Sequence, residues 1–131
     1  MTPISQLGEF GLIERLTQDL KPMQPSTLTG VGDDCAVIAG TEGEQTLVTT
    51  DLLMEGIHFD LVYTPLKHLG YKAVIVNLSD IYAMNATPRQ ITVSVAVGKR
   101  FTVEHMDELY AGIRMACEQH EVDLVGGDTT T

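Results

Sequence analysis

LKHLGYKAVIVNLSDIYAMNA, residues 66–86, is the stretch whose reading decides the fold. It is long, mostly apolar and free of proline. That length favours a largely buried helix over a strand, although Val74, Ile75 and Val76 are β-branched. Pro88 marks its limit. Downstream, ITVSVAV (residues 91–97) alternates large apolar with small or polar residues, the period of a half-buried strand. Phe101 and Thr102 then open a second helix, with Thr102 as cap and Phe101 stapled onto Met106. Val103, Met106, Tyr110, Ile113 and Cys117 carry its apolar stripe. VDLVGGD supplies a last strand running into a glycine turn. Upstream, Leu7, Phe10, Ile13, Leu16 and Leu20 keep the spacing of an amphipathic helix, which Pro22 and Pro25 end. CAVI and TLVTTD, separated by the turn-rich GTEGEQ, read as a hairpin. The order is helix, two strands, helix, strand, helix, strand: a mixed domain whose sheet is covered by helices on one face.

The 131 residues fit one domain with a real core. No apolar run approaches the roughly 20 residues of a membrane-spanning helix, and MTPISQLGEF lacks the features of a signal peptide. The expectation is a cytoplasmic protein with no membrane partner. Cys35 and Cys117 are far apart and outside any CxxC pattern, so they read as buried thiols. The net charge is −10, from 18 acidic and 8 basic residues. With no basic face, nucleic acid is not an expected partner.

Where the aspartates sit says more than their total. Asp33 and Asp34 stand between glycines and a strand in GVGDDCAVI. Asp51 ends a strand after Thr49 and Thr50, Asp80 lies in NLSD within the long helix, and Asp128 follows Gly126 and Gly127. No lysine or arginine lies within two residues of any of them. Hard divalent cations take several oxygen ligands, and magnesium takes few carboxylates while keeping water and phosphate oxygens. Aspartates held by a packed sheet can converge on such an ion, and the hydroxyls or carbonyls of Thr49 and Thr50 can add ligands. Each site also has an ordinary reading: a solvated turn for the Asp33–Asp34 pair, a helix cap for Asp51, a solvent-facing side chain for Asp80, a tight turn for Asp128. Glycines before Asp128 would let backbone amides approach a phosphate. His58, seven residues after Asp51, stands two helical turns on if that segment is helical; it reads as a core or surface residue or as a substrate contact. His68, His105 and His120 show no partner pattern. The chain has no GxxxxGK[ST], no GxGxxG after a strand and no GxSxG, which leaves an aspartate-and-magnesium architecture as the route to phosphate chemistry.

Taken in order, GEFGLIERL, GVGDDCAVI, TTDLLMEGIHF, KAVIVNLSDIYAMNATP and LVGGDTT resemble the N-terminal domain of the thiamine-monophosphate kinase family. That family lies in the superfamily of aminoimidazole ribonucleotide synthetase and selenophosphate synthetase. The D-x-x-x-E-G-x-H-F and N-L-S-D blocks distinguish best. The resemblance implies an α+β fold, with a mainly antiparallel sheet covered by helices on one face and sheets pairing in a homodimer. It implies transfer of the ATP γ-phosphoryl group to thiamine monophosphate, assisted by several Mg2+ ions and with no catalytic side chain. Asp34, Asp51, Asp80 and Asp128 would be metal ligands, helped by Thr49 and Thr50, with Asp33 a neighbour. Tyr110, Gly127 and Asp128 would meet the nucleotide and His58 the substrate. Asn85 stands where relatives have glycine, and asparagine tolerates the left-handed geometry that implies.

The family's chains are much longer, so residues 1–131 are expected to be an N-terminal ATP- and magnesium-binding dimerisation domain, inactive without a C-terminal domain that this chain lacks. Two other readings stay open: a sibling kinase or synthetase acting on another phosphate acceptor, and a non-catalytic acidic dimerisation module.

Overall fold

The computed structural model describes residues 3–130. They form two compact units, Met1–Val48 and Thr49–Thr131.

The first unit opens with a 3-10 turn at Ile4–Gln6 and helix α1, Gly8–Thr17. Strands β1 (Thr27–Thr29), β2 (Ala36–Ala39) and β3 (Gln45–Val48) follow as an antiparallel sheet in that order. The expected hairpin is β2–β3, with Ala36 opposite Val48 and Ala39 opposite Gln45. Its turn places Glu42 and Gly43 at positive φ and closes through Gly40 N–H to Glu44 O (2.8 Å). β1 was not legible, being three residues long with a register shift against β2. Cys35 and Val37 are buried. The stripe on α1 is periodic as expected but uncovered, with Phe10 84% exposed. The helix stops at Thr17, whose hydroxyl donates back to Ile13 O (2.8 Å).

The second unit begins with irregular chain, then α2 (Leu66–Ala83), β4 (Gln90–Ala96), α3 (Val103–His120) and β5 (Asp123–Thr130). The long apolar stretch is therefore the helix that its length favoured. Val74 and Leu78 of α2 and Ile113, Ala116 and Cys117 of α3 form the core with Val122, and Ile91 and Val93 of β4 pack against it. The helices thus pack on one face of β4, while β5 is exposed along its length. The two helix backbones touch where they cross. A Cβ placed on Gly70 would fall 2.0 Å from Leu109 O, and one on Gly112 would fall 1.8 Å from Lys67 O. Only residues without a side chain permit that approach.

Both helices end through a left-handed residue. Asn85 (φ 55°) follows α2 and Glu121 (φ 54°) caps α3, with closing bonds from Ala86 N–H to Ile81 O and from Val122 N–H to Cys117 O. Asn85 adopts the geometry anticipated for it. At the start of α3, Thr102 caps as expected, and His105 completes a reciprocal capping box. Phe101 lies edge-on to the His105 ring (5.8 Å) and beneath the Arg100 guanidinium (5.0 Å).

The fold is α+β with an antiparallel sheet and helices, but β4 and β5 pair in parallel, with α3 as the crossover that such a pair needs. The expected glycine turn after the last strand is also different. β5 continues through Gly126 and Gly127 to Thr130, because Gly127 (φ 154°) lies so close to β4 that a Cβ would fall 1.8 Å from Val93 O. No helix among the described residues is long and apolar enough to cross a membrane.

Candidate functional site

The end of α2 gathers three of the anticipated residues. Thr49 Oγ1 donates to Asp80 Oδ2 (3.2 Å), joining the start of the second unit to the last turn of α2. Two residues on, the Asp51 N–H donates to Asn77 Oδ1 (3.0 Å), while Asn77 Nδ2 donates to Ala73 O within the helix (3.0 Å). Asn77 and Asp80 are three residues apart, so they stand on one face of α2. Asp80 is half-buried and Asp51 and Thr50 are exposed. Asp51 is thus exposed and tied to α2 through its backbone, while the Asp80 carboxylate is fixed by a hydroxyl.

The chain from Asp51 to Tyr63 is turns, not a helix, so Asp51 caps nothing and His58 does not stack two helical turns after it. His58 Nδ1 accepts the Met54 N–H (2.9 Å), which in the neutral ring leaves Nε2 to carry the proton and face outward as a donor. Lys72 Nζ of α2 donates to His58 O (2.6 Å). Glu55 bridges to Phe59 through the backbone and pairs through its carboxylate with Arg100, before α3. Asp60 closes the next turn by accepting the Val62 N–H (2.8 Å).

The remaining residues are placed differently. Asp33 and Asp34 lie exposed in the first unit, and Asp33 Oδ1 accepts the Asp34 N–H (2.9 Å), a local bond that turns one carboxylate onto the backbone. Asp128 lies in β5 opposite Ser94, whose neighbours Val93 and Val95 are, with Ile91, the half-buried residues of β4. Asp128 Oδ2 accepts from Thr130 Oγ1 (3.5 Å). Gly127 is opposite Val93, and the Tyr110 ring packs against the core cluster. Sequence reasoning missed Asn77, Lys72 and the Glu55–Arg100 pair. The only available signal was that Asn77 precedes Asp80 by three residues, which on a helix makes them neighbours.

Among the described residues no group of three or more His, Cys, Asp or Glu stands close enough to hold a metal ion. The donor set at the α2 end is one hydroxyl and two carboxylates, all hard oxygens. It suits magnesium, which binds through one or two carboxylates and completes its shell with water and phosphate. It does not suit a soft metal.

The chain is 36% identical over 126 residues to a thiamine-monophosphate kinase of Bacillus subtilis (strain 168), covering 95% of this chain and 38% of that protein. It is 37% identical over 125 residues to one from Synechococcus elongatus, with 95% and 36% covered. It therefore spans well under half the length of these relatives. Among solved structures, "AaThiL complexed with AMPPCP and TMP" superposes with a TM-score of 0.86 at 32% identity, over 99% of this chain and 40% of that one. Residues 32–131 match the family described as AIR synthase related protein, N-terminal domain; the chain belongs to that family.

Proposed function

We propose that this chain is the N-terminal part of an ATP-dependent kinase that converts thiamine monophosphate to thiamine diphosphate, acting in the cytoplasm with magnesium. The observation that carries the reading is the α2 end, to which Thr49, Asp51 and Asp80 bring oxygen groups, half-buried at Thr49 and Asp80 and exposed at Asp51. The similar AaThiL structure is a complex with AMPPCP and TMP, and these supply the substrate pair, an ATP analogue and thiamine monophosphate.

In the reaction a phosphate oxygen of thiamine monophosphate bonds to the γ-phosphorus as the bond to the β–γ bridging oxygen breaks, and ADP leaves with that electron pair. Such a transfer needs alignment and charge neutralisation rather than covalent help from the protein. Bound magnesium would supply the neutralisation. Asp80, Asp51, Thr49 and Thr50 would hold it at the end of α2, and Asp128 in the same unit and Asp34 in the first unit would each contribute as metal ligands in their own places. His58 would offer its Nε2–H to the substrate, and Tyr110, Gly127 and Asp128 would meet the nucleotide. We read residues 1–131 as the metal- and nucleotide-binding, dimer-forming part. A sheet of two strands with every residue of β5 exposed is not self-sufficient, which supports pairing with a second copy.

The test is a product assay on the protein of the complete reading frame, given thiamine monophosphate and magnesium ATP, beside Asp80→Asn and the 131-residue chain. Thiamine diphosphate from the complete protein alone, lost in Asp80→Asn, is the expected result. No product from well-folded complete protein would overturn the reading.

A further inference from the structure

We infer that Asn77 is a positioning residue for phosphoryl transfer: by holding the Asp51 amide on the same face of α2 that carries Asp80, it sets where the Asp51 carboxylate stands. This rests on the function proposed above.

The geometry separates Asn77 from an ordinary helix asparagine. Its Oδ1 takes the Asp51 N–H at 3.0 Å, across 26 residues of chain, and its Nδ2 is anchored on Ala73 O at 3.0 Å. The second bond fixes which end of the amide faces Asp51, because the nitrogen is committed to the helix carbonyl and only the oxygen remains to accept. Residues 49–51 belong to no helix or strand, so no regular backbone pairing orients them. Their bonds to α2 include Asp51 N–H to Asn77 and Thr49 Oγ1 to Asp80. The template itself is stiff. One turn earlier, Val74 is buried, and Leu78, between the two anchors, is buried as well. The Gly70–Gly112 crossing holds α2 against α3.

The side-chain hydroxyl of Thr49 and the amide of Asp51 therefore hang from two points on one rigid helix, three residues apart. Loss of the Asn77 point frees the backbone of Asp51 while leaving Asp80 in place. Misplacement of a reacting group by about 1 Å costs on the order of a hundredfold in rate. Asn77 would touch neither substrate nor nucleotide. Its effect runs through Asp51.

The experiment uses the protein of the complete reading frame as wild type, Asn77→Leu and Asn77→Asp. Leucine keeps the branched shape and the number of heavy atoms and lacks the acceptor, whereas aspartate keeps an acceptor for the Asp51 N–H. Three quantities are read: kcat/KM with its magnesium dependence, melting temperature, and hydrogen exchange in the peptide spanning residues 49–54. In Asn77→Leu we expect faster exchange in that peptide, about a hundredfold loss of kcat/KM and a raised magnesium requirement, with the melting temperature little changed. Asn77→Asp should restore protection and most of the rate. Wild-type activity in Asn77→Leu, or unchanged exchange, would overturn the inference. So would failure of both variants to fold, which would make Asn77 a folding determinant. If wild type makes no thiamine diphosphate, the functional reading fails; the exchange data then show only whether Asn77 holds Asp51, and the role in transfer falls with the function.

Discussion

Gly112→Ala tests the packing that supports the site. A methyl group there would sit 1.8 Å from Lys67 O and 2.8 Å from both Lys67 C and Tyr71 N. Ordinary separation of such atoms is about 3.5 Å, so the helices must part by roughly 1.7 Å at the crossing. The obstacle is backbone, which cannot swing aside as a side-chain end would. Parting α2 from α3 opens a gap along Val74, Leu78, Ile113 and Ala116, and a gap of even 0.5–1 Å forfeits about a quarter to a half of each contact. Overpacking of this kind costs about 3 kcal/mol at the upper end. Alanine's better helix propensity returns about 1 kcal/mol. The net loss of about 2 kcal/mol corresponds to a fall of roughly 8–16 °C in melting temperature for a unit of this size. Gly98→Ala is the control, since a Cβ there meets nothing within 4 Å; it should leave stability unchanged or raise it by up to about 1 kcal/mol. Thermal and urea unfolding of both variants would be compared with wild type. If Gly112→Ala melts with Gly98→Ala, the close crossing is not a feature of the folded protein and the reasoning fails.

Thr102→Ala removes the capping box of α3 and should cost about 1 kcal/mol in urea unfolding. The Thr102 side chain is also the main reason the Glu104 carboxyl titrates below its ordinary 4.5, so in Thr102→Ala its titration, followed by NMR, should return upward. Burial first, and the Asp123 charge second, push the Cys117 thiol above its ordinary 9.0. A raised folded-state value means the stabilisation is complete below 9.0 and is lost as pH climbs through the folded-state value. Unfolding curves of wild type should therefore weaken on the alkaline side, and Cys117→Val should flatten that loss. A decline identical in the variant would sink this account.

The helices were readable because their signals are local. Residues 66–86 are too long and too apolar for a strand, and α3 announces itself with Thr102 and an apolar stripe every third or fourth position. The β2–β3 hairpin was readable from its turn chemistry. Three things were not. β1 is too short to show a period. The parallel pairing of β4 and β5 is a choice between partners far apart in sequence, which no local period records. Gly126–Gly127 reads as a turn, yet the neighbouring strand demands the glycine in mid-strand.

The site divides in the same way. Which residues are rich in hard oxygen ligands, and the lack of nearby lysine or arginine, were plain in the chain itself, as was the ordered set of motifs. Residue type and spacing along a helix are properties of the chain, so Asp80 on a buried helix needed no tertiary information. That Asp51 is held by Asn77, that Thr49 reaches Asp80 and that Lys72 fastens His58 depend on chain segments 14 to 31 residues apart meeting in space. Such contacts depend on α2 packed against α3, because an irregular segment needs a fixed surface to bond to.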